Sequence, residues 1–335
     1  MTRTGKLGWG LIGASNIASE WMIPAINAAT DSEVVAVLSS SADRAASFAQ
    51  ANGIRSHYTD IASLLADPAV DVVYVSTTNE RHCTDTLAAA SAGKHVLCEK
   101  PMALTCEDAR TMVDSCELAG VVLGINHHMR CMEAHRAIRD IVKAGTLGKI
   151  VLTRIFFGVG LPQEAKRWRA TDASAGAGVM YDLSVHDLDL LRFTFDEDVS
   201  SVMCLTDSTG STAPGIEDTV MLLVRMSSGL LVEVAESFNT PHARTSLEIH
   251  GTAGSLIAED VLLQKGVGNV YLDVAGRRTE VPIDCVSPYL RVVRDFNSAV
   301  RGTGAPAASG TDGYKSLRAA LCARESAETA RLIHI

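Results

Sequence analysis

Short apolar runs alternate with alanine-rich stretches along the first third of the chain. Six runs have the length and β-branched content of strands, at residues 7–12, 34–38, 57–58, 70–76, 95–98 and 121–125. Longer stretches between them, such as 79–92 and 105–119, have the apolar spacing of helices. Strands that alternate with helices are typical of βαβ units and a parallel sheet. The pattern therefore predicts a Rossmann-like domain over residues 1–126.

The pattern changes after Asn126. A helix is predicted at 131–144, a long strand at 150–160 and a second helix at 178–195, followed by alternating strands as far as residue 281. Two closing helices, 288–301 and 312–332, flank a loop rich in Gly, Pro, Ala and Ser. Residues 127–335 are therefore predicted to form an α+β domain with a large, mostly antiparallel open sheet. The fold class is α/β overall, and the open sheet offers a surface for a homo-oligomer.

Composition narrows the classes of partner. The 335 residues are enough for two domains, and 47% hydrophobic residues against 21% charged ones can fill two cores. A net charge of −9 without any run of Lys or Arg argues against nucleic acid or an anionic membrane as partner. No apolar span long enough to cross a bilayer is present, and no apolar secretory segment follows Met1. We expect a cytoplasmic protein that binds a small molecule, with its eight cysteines as free thiols because none form a Cys-x-x-Cys pair.

The turn after the first strand has the residues of a phosphate-binding loop. Gly13 follows the apolar strand and Ile17 enters a helix, so backbone N–H groups and a helix amino end point towards one place. Ser15 stands where the usual fingerprint has its second glycine, and its hydroxyl is small enough to donate to a phosphate. The predicted cofactor contacts here are Gly13, Ala14, Ser15, Asn16 and Ile17. A tight turn without a ligand is the alternative.

The end of the second strand bears on the choice of cofactor. An enzyme that uses NAD usually has an Asp or Glu there for the ribose 2′-hydroxyl, but this chain has Ser39 and Ser40, with Arg44 one helical turn beyond. Serine donors and a guanidinium favour a 2′-phosphate, which a carboxylate would repel. The sequence thus predicts NADP(H). A simple turn with a helix N-cap and a solvated Arg44 is the alternative.

A lysine immediately before a proline ends the fifth strand. Pro101 cannot donate to a sheet and keeps the preceding residue out of helical conformation, so the ammonium of Lys100 projects from the carboxyl end of the strand. Ligands of open parallel sheets bind at that edge. We also predict a cis Lys100–Pro101 peptide bond.

Asp182 and His186 are four residues apart in a predicted helix, so they share one face. A metal site that also used Glu99 would need carboxylate and imidazole ligands, but the neighbouring cation Lys100 argues against it. No metal is predicted. Asp187 and Asp189 are interpreted as structural residues. A surface or core Asp/His pair is the alternative for Asp182 and His186.

Residues 10–18, 92–101 and 178–189, in this order along the chain, resemble the motifs of the Gfo/Idh/MocA family of oxidoreductases. The resemblance implies that Lys100, Asp182 and His186 gather around the nicotinamide and the reacting carbon, where the two domains adjoin. It also implies that His127 helps to shape the substrate pocket, with hinge packing as the alternative. The further cofactor contacts that it implies are Ser76, Thr77, Thr78, Asn79, His82, Glu99, Lys100, Asn126, Trp168, Arg169 and Tyr289.

Chemical roles follow from the reaction that the resemblance implies. Hydride arriving at a ketone leaves negative charge on the oxygen, which the ammonium of Lys100 can stabilise and an imidazolium at His186 can neutralise with a proton. Asp182 would orient its neighbours. We expect an NADPH-dependent reductase of a keto-sugar. The alternatives are an NAD-dependent inositol or sugar dehydrogenase and a non-catalytic regulator that senses a dinucleotide.

Overall fold

The computed structural model describes residues 5–161, 166–264 and 268–335. Its contacts divide the chain into two compact units. The first comprises Met1–His128 and Ser287–Tyr314, and the second comprises Met129–Val286 and Lys315–Ile335. This division differs from the predicted domains of 1–126 and 127–335, because the segment 287–314 returns to the first unit.

Parallel strands and intervening helices build the first unit. All six predicted strands are present, with pairing order β3-β2-β1-β4-β5-β6, and all five pairings are parallel. This confirms the Rossmann-like sheet. The strands are β1 (Leu7–Ile12), β2 (Ser32–Leu38), β3 (Ser56–Tyr58), β4 (Val72–Val75), β5 (His95–Cys98) and β6 (Leu123–Ile125). The helices are α1 (Ile23–Ala28), preceded by a π-helical turn (Ala18–Met22), α2 (Ala42–Asn52), α3 (Ile61–Ala66), α4 (His82–Ser91), preceded by a 3₁₀ turn (Asn79–Arg81), and α5 (Cys106–Ala119).

Helix α9 (Pro288–Val300) joins the first unit through aromatic and polar contacts. Its Phe296 ring lies 5.6 Å from the ring of Trp9 in β1, and both side chains are buried. The side chain of Asn297 donates to Asp31 at 2.8 Å. Such contacts cannot be read from local sequence patterns, which explains why the predicted boundary placed this helix in the other domain.

The second unit is built on a nine-stranded sheet with order β14-β13-β12-β11-β7-β10-β9-β8-β15. Only the β7–β10 pairing is parallel, which confirms the predicted, mostly antiparallel sheet. Its strands are β7 (Ile150–Gly158), β8 (Val199–Asp207), β9 (Thr219–Met226), β10 (Leu231–Ser237), β11 (Ser246–Gly251), β12 (Gly254–Glu259), β13 (Asn269–Val274), β14 (Arg277–Val281) and β15 (Ile333–His334). The helices are α6 (Glu133–Lys143), α7 (Lys166–Thr171), α8 (Val185–Phe195), preceded by a π-helical turn (Met180–Ser184), and α10 (Gly310–Thr329), which begins in the first unit. Short 3₁₀ turns occupy His128–Cys131 and Ala173–Ala175.

Side chains alternate between the two faces of this sheet. On β9, Val220, Leu222 and Val224 are buried in the core, whereas Met221 and Leu223 are exposed. Neighbouring strands continue the exposed apolar surface with Leu152, Leu205 and Leu231. No helix in the described ranges has both the length and the apolarity to cross a membrane.

The helix that carries His186 is held by buried charged groups. Asp189 of α8, fully buried, accepts two 2.7 Å hydrogen bonds from the guanidinium of Arg130 and one of 2.8 Å from the hydroxyl of Ser316. These contacts support the structural interpretation of Asp189. Removing one partner of such a buried ion pair would leave the other charge unpaired, which typically costs about 3–5 kcal/mol.

Asp187 lies on the same helix beside a second carboxyl, Glu236 of β10, and both are completely buried. The hydroxyl of Ser184 donates to Glu236. Burial raises the pKa of Asp187 to about 7 and, together with the nearby Asp187 charge, raises the pKa of Glu236 well above its ordinary value. Two carboxyls this close share protons because both cannot ionise without strong repulsion.

This pair predicts a pH-dependent stability. The pKa of Asp187 is higher in the folded chain than in the unfolded one, so its stabilising effect is complete below pH 4 and is lost as the pH rises to about 7. We expect Asp187 to lower the free energy of unfolding of the wild type by up to about 1.4 kcal/mol per pH unit over that range, in addition to the contribution of Glu236. Asp187→Asn keeps the volume without the titration, so its profile should be flatter. Urea unfolding between pH 4 and pH 8 measures both, with the exposed Asp140→Asn as control; equal slopes in all three proteins would contradict the prediction.

Candidate active site

The turn after β1 passes close to the turn after β4 because its first residue has no side chain. Gly13 has φ +114°, a conformation that side chains rarely adopt. A Cβ atom there would lie 2.9 Å from the carbonyl oxygen of Ser76, which follows β4. The turn thus brings backbone close to backbone at the carboxyl edge of the sheet, where the fold binds dinucleotides. A glycine at the tight turn after the first strand is a feature of dinucleotide-binding sheets, so these residues fit such a cofactor.

The hydroxyl of Ser15 links two turns of the sheet edge. Its hydroxyl lies 2.8 Å from the hydroxyl of Ser76 and accepts a 3.2 Å hydrogen bond from the backbone N–H of Ala18. The serine therefore ties the β1 turn to the β4 turn and caps the helical segment that follows. Asn16 is exposed and Ile17 is partly exposed just ahead of the π-helical turn.

The end of β2 presents hydroxyls and a guanidinium. Ser39 is buried and Ser40 exposed, while the Ser41 hydroxyl caps α2 by accepting from the N–H of Arg44. The guanidinium of Arg44 donates to the carbonyl of Ala14 at 2.7 Å. Arg44 therefore lies against the phosphate-binding turn, and it is not simply a solvated helix residue.

A half-buried hydrogen-bond network surrounds Glu99, next to Lys100. One carboxylate oxygen of Glu99 accepts from the hydroxyl of Tyr74 and, at 2.6 Å, from the amide of Asn126. Burial, followed by the charge of Glu99, raises the pKa of Tyr74 well above its ordinary value, so the phenol stays a proton donor. Asn126 also bonds the end of β5 through its backbone N–H, 2.8 Å from the carbonyl of Cys98. Lys100 is partly exposed, and the Lys100–Pro101 peptide bond is cis, which confirms that prediction.

The turn after β4 is fixed by α4. The Thr77 hydroxyl donates to Asp85 at 2.9 Å, and the same carboxylate pairs with Arg81 at 3.0 Å. Thr78 and Asn79 lie at the entry to the 3₁₀ turn, with Asn79 buried. His82, the first residue of α4, is 1% exposed and faces backbone carbonyls.

Aromatic residues from α9 and the chain near α1 lie together in the first unit. Tyr289 is buried, with its ring 5.2 Å from that of His128 in a stacked arrangement and 5.4 Å from that of Trp21. His127 is also buried, and its backbone N–H bonds Ile125. Both histidines thus lie at the end of β6, where the first unit ends.

In the second unit, Trp168, Arg169 and Asp182 form one group. The guanidinium carbon of Arg169 lies 4.5 Å from the Trp168 ring centroid, and its Nε is 3.6 Å from a carboxylate oxygen of Asp182. Asp182 is in the π-helical turn Met180–Ser184 rather than in a regular helix, which corrects the predicted continuous helix 178–195. The site residue His186 follows in α8 and is buried to 6% exposure. Single π turns inside helices are frequent at functional sites.

The start of this turn depends on a second close approach. The backbone N–H of Met180 donates to a carboxylate oxygen of Glu217 at 2.9 Å. A Cβ on Gly178, which has φ +109°, would lie 2.3 Å from that same oxygen. Burial is the main cause that raises the pKa of Glu217. Gly178 and Glu217 together fix the start of the π-helical turn that contains Asp182.

Within each unit the structure groups most of the predicted residues. Glu99, Lys100 and Asn126 lie together at one sheet edge with the residues of the glycine turn, and Asp182 lies with Trp168 and Arg169. Sequence reasoning missed Tyr74, Asp85, Glu217 and Glu236, which hold these groups in place. A tyrosine in an apolar strand and an aspartate in an alanine-rich helix are weak signals, because partners so distant in sequence become visible only in the fold.

A parallel sheet with a glycine turn in one unit and an open, mostly antiparallel sheet in the other define a two-unit protein of the dinucleotide-binding α/β class. Residues 7–127 match the family described as "Oxidoreductase family, NAD-binding Rossmann fold", and residues 135–257 match "GFO/IDH/MocA C-terminal domain". The chain belongs to the Gfo/Idh/MocA family of oxidoreductases.

Relatives and solved structures cover the chain almost completely. It is 47% identical to 1,5-anhydro-D-fructose reductase of Ensifer adhaerens, over 98% of each chain. It is 27% identical to myo-inositol 2-dehydrogenase of Thermotoga maritima, over 99% of this chain and 98% of the other. The aldose-aldose oxidoreductase of Caulobacter crescentus, solved with glycerol, has a TM-score of 0.90 at 22% identity, covering 98% of this chain and 100% of the other.

Gly13→Ala tests whether the β1 turn needs its close approach. Gly53→Ala is a matched control, because Gly53 also has a positive φ but has open space where the Cβ would lie. Both changes should cost about 1–2 kcal/mol of stability from backbone strain. Only Gly13→Ala should also push back the Ser76 carbonyl and weaken NADPH binding at least about tenfold, as measured by fluorescence titration. Equal cofactor affinity in the two variants would show that the turn does not hold the dinucleotide.

Proposed function

We propose that the protein is an NADPH-dependent reductase of a keto-sugar, with 1,5-anhydro-D-fructose as the leading substrate and a 1,5-anhydro-hexitol as product. The observation that carries this proposal is a lysine that ends a parallel strand at the edge formed by the glycine turn. The 47% identity to 1,5-anhydro-D-fructose reductase over nearly the whole chain supports the choice of substrate. Substrate pockets vary within a fold, so direct assay decides this part.

The first unit supplies the proposed cofactor site. Backbone N–H groups from Ala14 to Ile17 take the pyrophosphate, and Gly13, whose own N–H bonds the carbonyl of Leu38, provides the tight turn. Ser39, Ser40 and Arg44 take the 2′-phosphate of NADP(H). The guanidinium that already lies against Ala14 supports this assignment. The nicotinamide end is assigned to a larger set: Ser76, Thr77, Thr78, Asn79, Glu99, Lys100, Asn126, Trp168, Arg169 and Tyr289. When bound, the cofactor supplies the hydride.

Two side chains of the protein stabilise the negative charge on the carbonyl oxygen and supply its proton. The ammonium of Lys100 stabilises negative charge as it develops on the carbonyl oxygen, and His186 gives that oxygen a proton. Asp182, already 3.6 Å from the Arg169 guanidinium, orients the polar groups around it. His127 is assigned to the substrate pocket. Glu99 stays fixed by Tyr74 and Asn126, so the backbone next to Lys100 has a defined position.

A cofactor-by-substrate panel tests the proposal. The purified protein is mixed with NADPH or NADH and a set of keto-sugars, and with NADP⁺ or NAD⁺ and a set of inositols and sugars, while the nicotinamide absorbance is followed. Reduction of 1,5-anhydro-D-fructose with NADPH as the preferred donor is the expected result. Preferred oxidation of an inositol with NAD⁺ would favour a dehydrogenase. The solved complex of levoglucosan dehydrogenase with NADH is a reason to test this alternative. Cofactor binding without turnover would favour a regulator.

The predicted partners are a sugar and a second copy of the chain. The exposed apolar side chains on β7 to β10, including Leu205, Met221 and Leu223, support a homo-oligomer formed through the outer face of this sheet. The cytoplasmic location and the absence of nucleic-acid and membrane partners stay predictions from composition.

Replacing Lys100 or His186 tests the chemical roles. Lys100→Met and His186→Ala should each lower kcat by about 10²–10³-fold, because one preorganised group that stabilises or neutralises the oxyanion is lost. The affinity for NADPH should change little. Lys94→Met is a matched control, since Lys94 precedes the same strand β5 and bonds the carbonyl of Val70 at 2.7 Å. Turnover near the wild-type value in either site variant would refute its assigned role.

Arg44→Ala tests the choice of cofactor. Only the phosphorylated cofactor loses a charge-assisted hydrogen bond, so the affinity for NADPH should fall by about 1.5–3 kcal/mol while that for NADH is nearly unchanged. Ser39→Asp should add repulsion towards NADPH and an acceptor for the ribose hydroxyl of NADH. Titration of both cofactors measures this, with the exposed Arg55→Ala as control. Equal losses for the two cofactors in Arg44→Ala would mean that Arg44 does not bind the phosphate.

A further inference from the structure

The imidazole of His82 bridges two turns of the sheet edge. Its Nδ1 lies 2.8 Å from the carbonyl oxygen of Pro101, and its Nε2 lies 3.2 Å from the carbonyl oxygen of Thr77. Thr77 follows β4 and Pro101 follows β5, so one ring spans the ends of two neighbouring strands. With 1% exposure, the ring has little surface left for any ligand.

Both neighbours of the ring are acceptors, which limits its chemistry. A neutral imidazole has a single N–H, so it donates to one carbonyl at a time, and only the imidazolium donates to both. Burial is the main cause that lowers the pKa of His82, against the hydrogen bond to Pro101 and the charge of Glu99. The neutral ring therefore places its proton on Nδ1, where the contact is shorter, and holds the Pro101 carbonyl.

The Nε2 side of the ring contacts the turn after β4, which other contacts already fix. The hydroxyl of Thr77 bonds Asp85, one helical turn after His82 on α4, and Asp85 is itself buried and paired with Arg81. Ser76, just before Thr77, contacts the hydroxyl of Ser15 in the glycine turn. The turn after β4 is thus anchored independently of His82. The carbonyl of Pro101, by contrast, is held by the imidazole of His82.

We propose that His82 is a positioning residue that fixes the Lys100–Pro101 turn against the anchored Thr77 turn, and so sets the direction in which the Lys100 ammonium projects. This role rests on the proposed function of Lys100. It replaces direct contact with the cofactor, which the family resemblance implied for His82, by an action through the backbone of Pro101.

Three substitutions separate the two contacts of the ring. The amide nitrogen of asparagine is as many bonds from Cβ as the histidine Nδ1, so His82→Asn keeps a donor for Pro101. The amide nitrogen of glutamine matches Nε2 in the same way, so His82→Gln keeps a donor only for Thr77. His82→Leu keeps apolar bulk and neither donor. His95→Leu is the control, because its Nδ1 also bonds backbone in the first unit, accepting from the N–H of Val122 at 3.0 Å, away from the site.

Turnover and amide exchange together report the position of the turn. We expect His82→Leu and His82→Gln to lower kcat by about 10²-fold with NADPH affinity within threefold of the wild type, and His82→Asn to restore most of kcat. Deuterium exchange followed by mass spectrometry should accelerate in the segment 99–104 in His82→Leu and His82→Gln only. His95→Leu should change neither readout.

The exchange measurement does not depend on the substrate. If the wild type fails to reduce any keto-sugar, the proposed function falls, but the exchange pattern still tests the role of His82. Native exchange of segment 99–104 in His82→Leu would overturn the proposal. Equal impairment of all three variants, including loss of folding in His82→Asn, would also overturn the proposal. It would show that His82 is needed for folding in general and not specifically to hold the Lys100–Pro101 turn.

Discussion

Parallel pairing of β1, β4, β5 and β6 brings the turns that follow these strands to one edge of a sheet, and the chemistry assigned to the first unit depends on that edge. Strand ends leave backbone carbonyls without a ladder partner, and an unpaired buried carbonyl is costly. Here side chains and neighbouring turns take them: Arg44 bonds the Ala14 carbonyl and His82 meets those of Thr77 and Pro101. The same contacts that satisfy the backbone therefore position the groups proposed to bind the cofactor.

Carboxyls that are partly or fully withdrawn from solvent have a related role in both units. Glu99 is fixed by Tyr74 and Asn126, Asp85 by Thr77 and Arg81, and Glu217 by the backbone of Met180. Each ties a segment that carries a predicted site residue to another segment of the same unit. Polar networks of this kind are favourable only when complete, so they specify one arrangement of the site. Withdrawing these carboxylates from water costs free energy, and in return the site residues are held in defined positions.

Local sequence patterns predicted most of the strands and helices, because these elements depend mainly on residues that are close together in the sequence. The ends of β1 and β5 agree with the predicted strands to the residue, and Lys100 lies at the strand end that Pro101 dictates. The π turn that contains Asp182 was missed, since a four-residue spacing keeps two side chains on one face in either kind of helix. The return of α9 to the first unit and the partners of Tyr74 and Asp187 depend on contacts between distant segments, which one sequence does not reveal. The sequence did not indicate that Ser15 contacts Ser76, and the contact of Ser15 with a phosphate stays a prediction.

The central claim is direct transfer of hydride from NADPH to a keto-sugar carbon, and isotopic labelling tests it most directly. The protein is incubated with NADPH that carries deuterium at both C4 positions and with 1,5-anhydro-D-fructose, and the product is examined by mass spectrometry and proton NMR. The account predicts one deuterium per product molecule, on the former carbonyl carbon. A product without deuterium, or label at any other carbon, would contradict it.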